Sequence, residues 1–132
     1  MEICVSFQVA DIVMDTDFEK LEVWKKSCGL SVKVYNLLKS CPDSGLYSQM
    51  TRAAVSIPSN IAEGNGRMAI KEQIHFLEIA YGSVMEVYTQ LQVAVDLGYI
   101  TDEDFKAVKP LIFNTSKLIS GLRSSKVAKL PH

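Results

Sequence analysis

Histidine and cysteine are scarce in this chain: His75 and His132 are the only histidines, and Cys4, Cys28 and Cys41 the only cysteines, among 132 residues. Neither histidine has a partner at metal-ligand spacing. An odd number of widely separated thiols argues against both a disulfide framework and a zinc site. The thiols read instead as reduced side chains of a cytoplasmic protein. No apolar run approaches the roughly 20 residues that a membrane-spanning helix requires. Glu2 occupies what would be the positive region of a secretory signal, and no cleavage-like site follows, so no signal peptide is expected. A phosphate-binding loop is missing as well. Gly64-Asn65-Gly66-Arg67 has neither the spacing nor the Gly-Lys-Ser/Thr ending of one. These absences leave no cofactor or metal to be expected.

What is present is an ordinary globular composition, 48% hydrophobic and 22% charged, in a length suited to one domain. The net charge of −1 conceals a polarity along the chain. Residues 1–17 carry Glu2, Asp11, Asp15 and Asp17 with no Lys or Arg. After Asp104 no acid occurs, while Lys106, Lys109, Lys117, Arg123, Lys126 and Lys129 follow. Near the start, Ile3, Val5, Phe7 and Val9 alternate with Cys4, Ser6, Gln8 and Ala10, which is the period of a strand. Residues 1–17 are expected to form a peripheral arm, strand-like or disordered, with Met14 as an alternative start.

Four helical segments follow, over residues 18–126, and a frayed tail is expected over 127–132. The first runs from about Phe18 to Ser40, with Leu21, Trp24, Cys28, Tyr35 and Leu38 three or four apart and Val23, Leu30, Val34 and Leu37 widening the stripe. Cys41-Pro42-Asp43-Ser44-Gly45 reads as a turn. The second helix runs from about Leu46 to Glu63, and Gly64-Asn65-Gly66 is expected to stop it in the left-handed conformation. The third, from about Ala69 to Leu97, carries two apolar seams. One is Ile70, Ile74, Leu77, Tyr81, Val84, Tyr88, Leu91 and Val95; the other is Phe76, Ala80, Ser83, Val87, Ala94 and Leu97. Two seams fit either a wide core face within one chain or a second contact with another subunit. Thr101 caps a fourth helix, led by Asp102, Glu103 and Asp104, that buries Phe105, Val108, Leu111, Ile112, Leu118, Ile119 and Leu122 and is kinked by Pro110. Short connections between long helices predict an all-α, up-down antiparallel four-helix bundle.

The stretch Arg52–Arg67, RAAVSIPSNIAEGNGR, breaks helix rules inside the second helix. Pro58 lacks an N–H and frees the carbonyl of Ala54, which predicts a kink. Met50, Ala54, Ile57 and Ile61 form an apolar stripe, while Arg52, Ser56, Ser59, Asn60 and Glu63 share a polar face. Two roles remain open. Serine and asparagine hydroxyl and amide groups could satisfy the freed backbone, or the kink could carry a pocket or an interface. The residues in question are Arg52, Ser56, Pro58, Asn60, Glu63, Gly64, Gly66 and Arg67.

This stretch resembles the signature of the 23S rRNA-intervening-sequence proteins. Leu21-Glu-Val-Trp-Lys-Lys26, Phe76-Leu-Glu-Ile-Ala-Tyr-Gly-Ser83 and Asp96-Leu-Gly-Tyr-Ile100 agree with it in order, over about residues 18 to 125. The resemblance implies a four-helix up-down bundle that assembles into a ring-like homopentamer. It also implies an origin among reading frames in inserts of bacterial ribosomal RNA genes, with no established enzymatic activity. A related branch, the accessory proteins of diversity-generating retroelements, works with a reverse transcriptase and binds nucleic acid. The chain departs from the pattern at Thr51, where a second arginine is usual, in the short Cys41–Gly45 loop, and in residues 1–17.

Three functions therefore compete. A non-enzymatic homo-oligomeric scaffold or adaptor follows from the double seam and from the resemblance. Nucleic-acid binding is the alternative: Lys106, Lys109 and Lys117 share one face of the fourth helix with Phe113 among them, bases interleaved with an aromatic. An enzyme is the least supported. Its only central acid–base groups are Glu63, Glu78, Glu86 and His75, and His75-x-x-Glu78 has the reverse order of a di-iron Glu-x-x-His pair.

Overall fold

A computed structural model of the chain describes residues 21–131. The expected arm, residues 1–17, lies outside them. Four helices make up the regular structure of the described residues: α1 (Glu22–Leu37), α2 (Ser44–Asn65), α3 (Ile70–Asp96) and α4 (Asp102–Val127). Each packs on the next in sequence, and α1 closes the square against α4. Because the connections are short, consecutive helices run antiparallel, and the result is the expected all-α four-helix bundle.

The helix ends follow from local chemistry. The Asp43 carboxylate accepts from the Leu46 N–H at 3.0 Å, so α2 begins at Ser44, two residues earlier than the turn-like sequence predicts. Thr101 accepts from the Asp104 N–H at 3.0 Å, and Asp102, Glu103 and Asp104 lie against the positive end of α4. At the end of α3, the Tyr99 N–H donates to the Ala94 carbonyl at 2.8 Å and the Gly98 N–H to Val95 at 2.9 Å. With Gly98 at φ 80°, this is a Schellman cap.

The left-handed stop expected at Gly64–Gly66 is corrected by the structure. Gly64 and Asn65 stay within α2, and Gly66 ends it with φ −84°. Gly98 is the one described residue with a positive φ. The first helix stops three residues before the expected Ser40: α1 ends at Leu37, and 38–40 form a turn in which Cys41 N–H donates to the Leu38 carbonyl.

The core is filled by Leu30, Val34 and Leu38 near α1, Met50, Ile57 and Ile61 of α2, Val84, Val87 and Leu91 of α3, and Phe105, Ile112 and Ile119 of α4. On α1 the buried stripe is rotated from the expected seam. Val23, Ser27, Leu30, Ser31 and Val34 point inward. Tyr35 is exposed and meets Tyr47 edge-on at 6.3 Å. Two serines fit an apolar stripe because each hydroxyl reaches a backbone carbonyl, Ser27 to Val23 at 2.6 Å and Ser31 to Ala54 at 2.7 Å.

Both seams of α3 are used within one chain. Leu77, Val84 and Leu91 come from one and Ala80, Ser83, Val87 and Ala94 from the other, and all are buried between α2 and α4. A wide core face accounts for them. Tyr81 and Leu97, one from each seam, are left exposed.

Candidate functional site

Pro58 sits in the middle of α2, and the helix continues through it. The ring removes the N–H that would have bonded to the Ala54 carbonyl. That carbonyl instead accepts from Ser31 Oγ on α1, 2.7 Å away, at a buried position. Ser31 also lies 3.1 Å from the Ser27 carbonyl of its own helix. The proline defect is therefore a joint between α1 and α2.

Ser56 and Asn60 make the corresponding joint to α3. Asn60 Nδ2 donates to the Ser56 carbonyl at 2.8 Å and to Ser56 Oγ at 2.9 Å. Ser56 Oγ and Ser83 Oγ share a hydrogen bond of 2.8 Å between α2 and α3. Ser83 is buried, and serine at this contact lets the two helices approach.

One helical turn further on, Gly64 faces Phe76. A Cβ at Gly64 would stand 2.8 Å from Phe76 Cβ and 3.4 Å from the Gln73 carbonyl. No side chain fits there without moving α3. Arg67 then folds over the corner. Its guanidinium bonds Glu63 Oε2 at 2.7 Å and lies 3.9 Å from Glu72 Oε1 and 4.7 Å from the centre of the Phe76 ring. Its carbonyl accepts from Gln73 Nε2 at 2.7 Å. Gly66 contributes its N–H to the Ala62 and Glu63 carbonyls. The residues Ser56, Pro58, Asn60, Glu63, Gly64, Gly66 and Arg67 are brought together as a clasp that fixes α2 to α1 and α3.

Arg52 is the member left outside the clasp. It is exposed and donates from Nη2 to Ser48 Oγ at 3.0 Å. With Gln49, Ala53, Ser56 and Glu86 it lines an open depression of about 240 Å³ on the α2–α3 side. Thr51, where the resemblance places a second arginine, is buried and donates to the Tyr47 carbonyl at 2.8 Å.

The basic face of α4 divides into unlike parts. Lys106 is paired with Asp102 at 3.0 Å, and that hydrogen bond pushes its ammonium pKa up. Lys109 leans over two rings, its Nζ 4.6 Å from the centre of Phe105 and 5.9 Å from that of Tyr88. Phe113 is exposed and packs on Tyr88 with ring centres 5.8 Å apart. Lys117 borders a separate depression with Leu21, Leu118 and Leu122.

The central acid–base groups do not assemble. Glu78 accepts from Arg123 Nη2 at 2.6 Å and from Nε at 2.7 Å, while the exposed His75 meets the Phe76 ring edge-on at 5.7 Å. Among the described residues, no three His, Cys, Asp or Glu side chains form a group that could hold a metal ion. None of the helices among them is long and apolar enough to cross a membrane. Sequence reasoning missed Ser31, Ser83, Gln73 and Phe76 as partners of the central stretch. The four-residue spacing of Ser27 and Ser31 inside an apolar stripe was the available signal.

The pattern of the 23S rRNA-intervening sequence protein family matches residues 19–121. Among solved structures, the chain is similar to the crystal structure of a protein with unknown function from the S23 ribosomal protein family of Bacteroides thetaiotaomicron. The two are 25% identical, the match covers 76% of this chain and 97% of that one, and the TM-score is 0.71. No curated protein matches the chain.

Proposed function

The chain belongs to the 23S rRNA-intervening sequence protein family, and on that premise we propose that it is a non-enzymatic, cytoplasmic homo-oligomeric scaffold or adaptor, assembled as a ring of five bundles. One observation carries this reading. Ile79, Val93 and Leu97 are 38%, 41% and 54% exposed, and they fall on a single line along the α2-side edge of α3. Eighteen residues separate the first from the last, five turns or about 27 Å. Gly82 lies near the same line, and a Cβ built there meets nothing within 4 Å, so the backbone is open to close approach by another helix. Glu86 falls on the same line, seven residues from both Ile79 and Val93, and lines a depression with Arg52 of α2, so the edge is apolar residues around one charged position. Leu97→Glu and Val93→Glu should each reduce the native mass in sedimentation while leaving the helical signal in circular dichroism unchanged. Unchanged mass in both variants would remove this edge as the assembly surface.

The second reading is nucleic-acid binding through the basic side of α4. It is favoured by Phe113, which is 49% exposed among lysines on a helix that has no acid after Asp104. Retention of RNA or DNA at about 50 mM salt, lost steeply as salt rises, is the expected result. No retention under those conditions would count against it.

A further inference from the structure

We propose that the groove between α3 and α4, on the opposite edge of α3 from the apolar line, binds single-stranded nucleic acid. Bases stack on Tyr81 and Phe113, and Lys109 contacts the phosphate backbone. The inference rests on the second reading above and moves its site from the outer face of α4 into the groove beside it.

Tyr81, Met85 and Tyr88 share the side of α3 that faces α4. Tyr81 and Met85 are 40% and 39% exposed. Tyr81 and Glu78 of α3 line an open depression of about 250 Å³ with Ile119, Ser120 and Arg123 of α4. Two turns along α3, Tyr88 packs on Phe113, which lies two turns before Ser120 on the antiparallel α4. Tyr81 and Phe113 therefore stand about two turns apart along the same α3–α4 edge, and both are exposed.

The cations of this groove differ in availability. Arg123 is tied to Glu78 and Lys106 to Asp102. The ammonium of Lys109 is held over the Phe105 and Tyr88 rings, which orient it without neutralising its charge. A ligand that offers flat rings to Tyr81 and Phe113 and an anion to Lys109 has the chemistry of unpaired nucleotides. Duplexes present their phosphates but keep base faces stacked inside, out of reach of surface aromatics.

The two placements give different salt dependence. Single-strand binding loses affinity with a slope of about −0.7 in log K against log salt for each phosphate contact. A groove using Lys109 alone, or with one further cation, should give a slope between about −0.7 and −1.4. Three lysines on the outer face would give about −2.

Fluorescence anisotropy of a labelled oligothymidylate, with the full chain at about 50 mM salt, tests the proposal. The single strand should bind with the shallow slope. Phe113→Ala and Tyr81→Ala should each weaken it about five-fold or more, the loss expected for one stacked base. Phe113→Tyr and Tyr81→Phe, which keep the rings, should restore it, and circular dichroism checks that every variant is folded. Equal binding of a duplex of the same length would overturn the groove. So would alanine variants that bind normally while Lys106→Gln and Lys117→Gln do not, although nucleic-acid binding itself would then stand. No binding of single strand or duplex would overturn both.

Discussion

Removing the Ser31 hydroxyl should destabilise the bundle because Pro58 exists. The Ala54 carbonyl has lost its helical donor to the proline and accepts from Ser31 Oγ at 2.7 Å in a buried setting. Ser31→Ala strands that acceptor, and an unsatisfied buried carbonyl costs about 1–3 kcal/mol. Alanine's better helix propensity returns a few tenths of that. For a domain of this size, about 4 °C of melting temperature corresponds to 1 kcal/mol, so a fall of about 4–12 °C is expected. The decisive comparison is a double-mutant cycle with Pro58→Ala, which restores an N–H opposite the Ala54 carbonyl. In that background Ser31→Ala should cost under about 0.5 kcal/mol, giving a coupling of about 1–2 kcal/mol. All four proteins should be unfolded in urea at one protein concentration, because any self-association adds a concentration-dependent contribution. Equal cost of Ser31→Ala with and without Pro58 would refute the reasoning.

The glycines separate by what surrounds them. Gly64→Ala should lower stability by about 1–3 kcal/mol, since its methyl group would stand 2.8 Å from Phe76 Cβ, whereas exposed Gly82→Ala should raise monomer stability by about 0.5–1 kcal/mol. Equal effects in chemical denaturation would contradict this. Gly98→Ala should cost about 1–2 kcal/mol because φ is 80° there, although a Cβ meets no neighbour; a neutral result in the same assay would mean that the cap relaxes. Burial pushes the Cys28 thiol pKa up, so its thiolate fraction at neutral pH is small, and peptide-mapped alkylation should still accelerate through about pH 9. A rate plateau near pH 8 would be inconsistent with that environment.

The number and order of helices are legible in the sequence because Met50, Ala54, Ile57 and Ile61 on α2, and the two seams on α3, repeat at helical spacing. All four α2 residues are buried as expected. Misplaced features have specific physical causes. The buried face of α1 is obscured by Ser27 and Ser31, which a hydropathy pattern counts as polar although their hydroxyls are satisfied by carbonyls. Gly64 and Gly66 resemble a left-handed stop, but Gly64 serves a close approach to Phe76 inside the helix. That requirement arises from tertiary packing and leaves no trace in local propensity. Gly66 still ends α2, but with right-handed φ, and the left-handed cap is found at Gly98, at the end of α3. The clasp was half legible. Pro58 announces a freed carbonyl, and Ser56 and Asn60 suggest local bonding, but partners on other helices, Ser31 and Ser83, become visible only when the helices are packed.

Native mass, measured by sedimentation at micromolar concentration with and without nuclease treatment, tests the scaffold reading most directly. Five times the 14.7 kDa chain mass, unchanged by nuclease, is the expected result. A monomer of 14.7 kDa under both conditions would contradict it.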